Sequence, residues 1–368
     1  METATVEAIV IGAGMSGATA AAHLSATRRV ALLEAEETAG YHTTGRSAAI
    51  WILNYGGPDV RILTGASRAF FEAPPPGFAA APLTHPRAVV FMAPPGQEAH
   101  LEEMISGGAG MRPISAAEVR SMVPALKPEY AARGAIESDA FDMDVAALHQ
   151  GFLRQVRLAG GIIALRHRAG RVWRQGGLWH AETSSGSVFA APVLVNAAGA
   201  WGDEVAVLAG VKRVGLQPKR RTACIIDPGP YDCADWPLLG DVDHSWYVRP
   251  EARRKLMVSP ADETDDVPGD AQPDELDVAI AIDRMQQALD ISVSRIEHKW
   301  AGLRSFTPDR ALAIGPSEEP GFFWMVGQGG YGIQTAPAAG RLLADLVEGR
   351  DPGDLAAAVP LVDPRRFA

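Results

Sequence analysis

The chain has 368 residues, only 2 cysteines and a formal net charge of −10. A length of this order buries a sizeable core in one large or two interwoven domains without disulfide staples, and neither Cys224 and Cys233 nor any pair among the 9 histidines stands at metal-ligand spacing, so no structural metal is expected. The acidic balance argues against a nucleic-acid partner, while a start without a basic segment ahead of a cleavage site, and no apolar run of the roughly 20 residues a bilayer span needs, point to a soluble, cytoplasmic protein.

Ala8 to Ile11 form a short apolar run, glycines follow, and the Ala-rich MSGATAAAHLSA continues as a helix, giving strand, turn and helix in that order. RVALLEAE is a second apolar strand ending in an acid, which completes a βαβ unit whose crossover should be right-handed. After GYHTTGRSAAIWILNYGGPDV the chain turns Pro-rich in EAPPPGFAAAPLTHPR and MAPPGQ, which signals an excursion into a second domain. Ser115 and Glu118 stand at capping-box spacing and predict a helix start. DVAALHQGFLRQVRLAGG reads as an amphipathic helix closed by Gly160 and Gly161; IIALRHRA, RVWRQGGLWHAETSSGSVFAA and PVLVNAAGAW follow as strand, hairpin and buried strand. From about Val214 to Lys299 the pattern favours β structure, with an acidic loop leading to a helix whose apolar positions are Val278, Ile282, Met285 and Leu289. RALAIG, FFWMVG and GQGGYGIQTAPAAGRLLADL then read as strand, strand and helix.

Gly12, Gly14 and Gly17 make G-x-G-x-x-G between strand and helix, and Glu34 follows some twenty residues after the first glycine. Bare backbone lets a pyrophosphate approach, the helix N-terminus favours its charge, and the acid accepts from a ribose diol. A tight turn serving packing alone is the alternative. Between NAD and FAD, the second glycine-rich helix opening near residue 330 favours a flavin, because a helix N-terminus stabilises the negative charge that develops at the N1 and C2 carbonyl edge of the reduced ring.

IVIGAGMSGATAAAHL, GYHTTGRSAA, VLVNAAGAW, WAGLRSFTPD and GQGGYGIQTAPAAG resemble the signature segments of the D-amino acid oxidase and sarcosine oxidase superfamily of FAD enzymes, and within it the D-arginine dehydrogenase type. The resemblance implies an α/β (α+β) fold: a Rossmann-like FAD-binding domain from residues 1–78, 144–215 and 300–368, and an inserted antiparallel-sheet substrate domain from 79–143 and 216–299. It implies that both glycine loops serve one FAD, with Arg46, Ser47, Ala48, Ala169, Gly199, Gly330, Gly332, Ile333 and Gln334 along the cofactor. No cysteine stands at the position that anchors the flavin of sarcosine oxidases, so FAD is expected to be non-covalent.

Oxidising an α-amino acid requires its carboxylate to be held while the Cα hydrogen faces flavin N5, a task suited to a guanidinium. Arg304, Arg221 and Tyr247 match the carboxylate-binding positions of the resembled dehydrogenases, with Arg220 replacing Arg221 if the register slips by one, and Tyr55 matches a residue on a loop covering the pocket. Ala88 stands where the resembled enzymes carry a glutamate for a cationic side chain, and Ile50, Ile52 and Leu238 replace polar or larger residues, with Gly332 also at the pocket. These departures favour neutral, hydrophobic D-amino acids. The lysine that sarcosine oxidases use toward oxygen corresponds to Leu256, or to Lys255 one step away, so a dehydrogenase passing electrons to a quinone or another acceptor is expected. Oxidation of secondary amines, or a non-catalytic flavin-binding subunit, are the alternative readings.

Overall fold

The computed structural model describes residues 3–367. Its central sheet has six strands in the order Ile162–Ala164, Val30–Leu33, Ala8–Ile11, Val193–Asn196, Phe322–Val326 and Ala313–Pro316. All pairs are parallel except the last. Ala8–Ile11, Val30–Leu33 and Val193–Asn196 are buried at every position, which is why they read as apolar runs, broken only by Asn196 at the end of the third, and not as alternating ones: a parallel strand covered on both faces has no polar side. The helices Met15–Leu24, Val145–Leu158 and Ala336–Glu348 contribute one apolar layer. A second cluster holds Trp179, Val172 and Phe189 of a smaller four-stranded sheet. The stretch expected to form one hairpin is a three-strand meander, Ala169–Gln175, Leu178–Thr183 and Val188–Ala191, joined on its edge by Thr3–Thr5.

The two helices that follow glycine-rich turns, Met15–Leu24 and Ala336–Glu348, pack directly on one another. Small residues make this possible. A Cβ on Gly340 would stand 2.3 Å from Thr19 Oγ1, and the Thr19 hydroxyl donates to the Ala336 carbonyl at 3.0 Å. Two helix N-termini distant in sequence are thereby fixed side by side. Val145–Leu158 packs on Met15–Leu24, capped by the Asp144 side chain accepting from Ala147 N–H at 2.8 Å.

The second body is a nine-stranded mixed sheet. It runs Thr264–Asp265, Gln217–Ile226, Lys255–Ser259, Tyr247–Glu251, Leu238–Asp241, Val89–Ala93, Arg133–Glu137 and Arg112–Ser115, with His298–Phe306 also on Gln217–Ile226. Its strands pair antiparallel except Leu238–Asp241 with Val89–Ala93. The helix Glu275–Ala288 covers one face with Val278, Ala281, Met285 and Ala288, while Ile282 is half-buried and Leu289 is the C-cap. Ser115 and Glu118 form the capping box expected from their spacing. The proposed division at residue 300 falls inside the strand His298–Phe306, which pairs with Gln217–Ile226 from His298 opposite Ile225 to Phe306 opposite Gln217. The sheet therefore continues to Phe306, because a buried strand cannot leave its ladder midway without orphaning backbone groups.

Candidate active site

A cavity of about 730 Å³ has walls drawn from both sheets and from the loops beyond their strand ends. At one end lies the first glycine turn. Gly12 has φ +101, and a Cβ there would stand 2.5 Å from the Ala197 carbonyl oxygen, so no other residue fits. Gly14 lines the cavity and is the uncapped N-cap of Met15–Leu24. Gly17 does not line it; its part is steric, since a Cβ would fall 1.7 Å from Gly12 O. Glu34 borders the same end, its Oε2 accepting from Ala13 N–H at 2.8 Å and its Oε1 from Glu36 N–H at 2.9 Å. Each carboxylate oxygen keeps a further lone pair for a ligand hydroxyl.

Other residues expected along the cofactor are placed as follows. Ala48, Ala169, Gly199, Gly330, Gly332 and Ile333 line the cavity. Arg46 and Ser47 line it too, but their polar groups are engaged elsewhere: Arg46 Nη1 donates to Ala271 O and Ala301 O at 2.9 and 3.0 Å and its Nη2 pairs with Asp270, while Ser47 Oγ donates to Thr43 O. The Gln334 amide is buried against the opposite loop, donating to Thr64 Oγ1 at 2.8 Å and meeting both backbone groups of Ile52 at 3.3 Å. It positions that loop, and its amide is not free for a ligand.

These residues fit a dinucleotide. The cradle admits close backbone approach, and two lining residues carry buried polar atoms without a partner among the described residues, His42 Nδ1 and Gln328 Nε2. Buried polar groups are almost always bonded, so each orphan marks a place where a bound ligand would complete the bonding.

At the other end Arg304, Arg221, Tyr247 and Tyr55 share the lining. Arg304 Nη1 donates to Tyr55 OH at 3.1 Å, and among the described residues no carboxylate lies within ion-pair distance of its guanidinium. Gly330 leaves it room, because a Cβ there would stand 2.7 Å from Arg304 Nη1. Arg221 is held differently, donating from Nε to Asp262 O at 2.8 Å, with Glu263 Oε1 3.5 Å from its Nη2. Glu263 also takes Arg310 Nη2 at 2.9 Å. Arg220 points to the opposite face and pairs with Asp277 at 2.8 Å, so alternation along the strand gives the cavity Arg221. Burial alone would raise the Tyr247 phenol, but Arg304 and Arg221 outweigh it and hold its pKa below the usual value. Tyr331, edge-on to Tyr55 at 5.0 Å, is pushed up to about 12, chiefly by burial.

Ile50, Ile52 and Leu238 line the cavity and belong with Phe91 to one apolar cluster. Ala88 does not line it. It packs with the cluster beneath Glu275–Ala288, because Ala88 and Val90 face one side of the sheet and Val89 and Phe91 the other. Phe91 takes the place expected of Ala88. Leu256 and Lys255 are likewise away from the cavity: Leu256 is buried in the same far cluster, and the Lys255 ammonium pairs with Asp227 and Glu297 at 2.9 and 2.7 Å. Sequence reasoning missed Phe91, Tyr331, His244, Glu263 and Arg310. Tyr331 lies inside the late glycine loop and was within reach; a loop histidine such as His244 carries no pattern that would have singled it out.

A parallel sheet ending in a glycine cradle, with a second sheet closing over a guanidinium-bearing chamber, defines a dinucleotide-dependent oxidoreductase. Residues 7–346 match the family described as FAD dependent oxidoreductase (DAO), and the chain belongs to that family. Mitochondrial dimethylglycine dehydrogenase of Mus musculus is 28% identical over 214 residues, covering 53% of this chain and 24% of that protein. D-amino acid dehydrogenase 2 of Ralstonia nicotianae is 30% identical over 275 residues, covering 68% and 61%. The chain thus spans about a quarter of the length of the dimethylglycine dehydrogenase it matches. The structure of L-proline dehydrogenase from P. horikoshii superposes with a TM-score of 0.85 at 19% identity, over 100% of this chain and 98% of that one, a likeness of fold. Among the described residues no helix is long and apolar enough to cross a membrane.

Proposed function

We propose that the protein oxidises neutral, hydrophobic D-amino acids at the Cα–N bond, with non-covalently bound FAD, to imino acids that water hydrolyses to the oxo acids. One observation carries this reading: Arg304 presents a guanidinium to the cavity with a tyrosine hydroxyl as its side-chain partner and, among the described residues, no anion within ion-pair distance. Leaving such a charge without a counter-ion is costly, and a substrate carboxylate supplies one. Arg221 and Tyr247 add donors on the same side.

The glycine cradle, Glu34 and the loop from Gln328 to Ile333 would hold the FAD, which supplies a hydride acceptor when bound. The chain's own residues do the rest. Arg304 and Arg221 fix the carboxylate, so that Cα is presented in one orientation. Ile50, Ile52, Phe91 and Leu238 receive an apolar side chain and exclude water. The D hand rests on the resemblance to D-arginine dehydrogenases and on the name of the Ralstonia relative. Among the described residues no lysine lines the cavity, which supports electron transfer to a quinone or another acceptor in preference to oxygen.

The match to dimethylglycine dehydrogenase favours a second reading, oxidation of N-alkyl or cyclic amino acids held by the same clamp. An anaerobic screen with D-, L- and N-methyl amino acids separates the two: flavin bleaching by apolar D-amino acids is expected, and bleaching by N-alkyl compounds alone selects the second reading. A yellow protein bleached by none of them is a flavin-binding subunit, and a folded protein that takes up no FAD overturns all three.

A further inference from the structure

The clamp accounts for a carboxylate and the apolar wall for a side chain, while the substrate amino group calls for an acceptor of its own. At the substrate end of the cavity one imidazole is free to do so. His244 sits on the turn between Leu238–Asp241 and Tyr247–Glu251 with φ +53, a left-handed conformation that His adopts more readily than most residues and that proteins tend to retain at functional positions. The turn is built to hold it. His244 N–H donates to Asp241 O at 3.0 Å, and the buried Asp241 carboxylate receives Ser245 N–H at 2.6 Å.

The His244 ring stands edge-on to Phe91 at 4.9 Å between centroids and lies 6.2 Å from Tyr55, the tyrosine whose hydroxyl accepts from Arg304. It lines the cavity, and among the described residues neither of its nitrogens has a side-chain or backbone hydrogen-bond partner. The neighbouring acids are committed elsewhere: Asp243 to His100, and Glu263 to Arg310 and Arg221. The other cavity histidines belong to the far end, His42 against Trp201 and His167 against Phe189.

We propose that His244 is the group that receives the α-amino group of the substrate, its neutral imidazole accepting an amine N–H while Arg304 and Arg221 grip the carboxylate. This assignment rests on reading the cavity as an amino acid site. Burial holds the imidazole below its ordinary pKa, with Asp241 and Asp243 opposing and Arg221 assisting, so the accepting form prevails at neutral pH. A protonated ring would set a further positive charge beside an ammonium and two arginines.

The test uses the FAD-loaded protein and two ligands that cannot be oxidised: racemic α-methylleucine, which has no Cα hydrogen, and the same acid lacking its amino group. Binding is read from the perturbed flavin absorbance. His244→Phe is expected to weaken α-methylleucine by roughly tenfold to a hundredfold, the range for a hydrogen bond to a charged group, while the amine-free acid changes less than about twofold. His244→Gln, which bears the same backbone penalty but keeps an acceptor, is expected to recover most of the loss. Equal weakening of both ligands, no weakening of either, or a Gln variant as poor as Phe overturns the assignment. If the unaltered protein binds neither acid, the clamp itself is wrong and His244 falls with it; if it binds the amine-free acid, the clamp stands whatever the variants do.

Discussion

Gly340 lies against Thr19 so closely that a single added carbon would stand 2.3 Å from the threonine hydroxyl. This crossing locks together the two helices that follow the glycine-rich turns lining the cavity. Gly340→Leu is therefore expected to destabilise by about 1–3 kcal/mol through overpacking, and to weaken FAD retention because the two turns no longer meet. Thr19→Val, which removes the bond to Ala336 O and a longer contact with His23 Nδ1, is expected to cost about 1 kcal/mol. Thermal unfolding with and without added FAD checks both; a Gly340→Leu protein that melts like the parent would show that the helices are free to move apart.

Arg304 and Arg220 form a matched pair of opposite expectation. Truncating Arg304 to Ala removes a clamp without a substitute, and a loss of about 2–5 kcal/mol of interaction corresponds to a fall in kcat/KM of roughly thirtyfold or more, carried largely by KM. Arg220→Ala breaks pairings with Asp277, Asp266 and Asp274 outside the cavity, and kcat/KM should stay within a few-fold. Steady-state kinetics on both variants decides; equal effects would mean that the strand register is misassigned.

Phe91 and Ala88 separate the cavity face of their strand from the core face. Phe91→Glu places a carboxylate among Ile50, Ile52 and Leu238, and is expected to shift preference from apolar toward cationic D-amino acids. Ala88→Glu is expected to change stability and leave specificity alone, because its neighbours are the buried residues beneath Glu275–Ala288. Relative kcat/KM for leucine and arginine of the D series reads the difference, and a cationic preference gained by Ala88→Glu would reverse it.

His149 reaches from Val145–Leu158 to the glycine turn, its Nε2 donating to Ala13 O at 2.9 Å. Burial lowers its pKa, against the raising effect of that bond, so the folded protein binds fewer protons than the unfolded chain. The associated stability is fully present above the unfolded value near 6.5 and is lost as pH falls from there toward the folded pKa. Tm is expected to drop by ~2–4 °C per kcal/mol lost as pH is lowered from about 7.5 to about 5.5, and the drop should be smaller in His149→Gln. Identical pH slopes for the two proteins would exclude the histidine as its source.

Much of this architecture was legible in the residues. The apolar runs at Ala8–Ile11 and Val193–Asn196, the glycine spacing and the Ser115–Glu118 box each encode a local geometry that tertiary contacts then leave intact. Arg221 was identifiable, yet only alternation along Gln217–Ile226 separates it from Arg220. Ala88 and Leu256 show where reading fails: a one-residue difference of register moves a side chain to the other face of a sheet, and no pattern within either strand fixes which face meets the cavity. His244 and Glu263 lie on turns, where position is set by distant partners and leaves no periodic trace.

The order of the central sheet has a kinetic consequence. Ala8–Ile11 lies between Val30–Leu33, close in sequence, and Val193–Asn196, far along it, and the latter in turn awaits Phe322–Val326. Closing such distant pairings is slow. A partly folded chain would leave largely apolar strand edges bare until those late segments arrive, exposing sticky surfaces that favour aggregation. Recovery of active protein on refolding should therefore fall steeply with chain concentration and improve when a chaperone shields those edges.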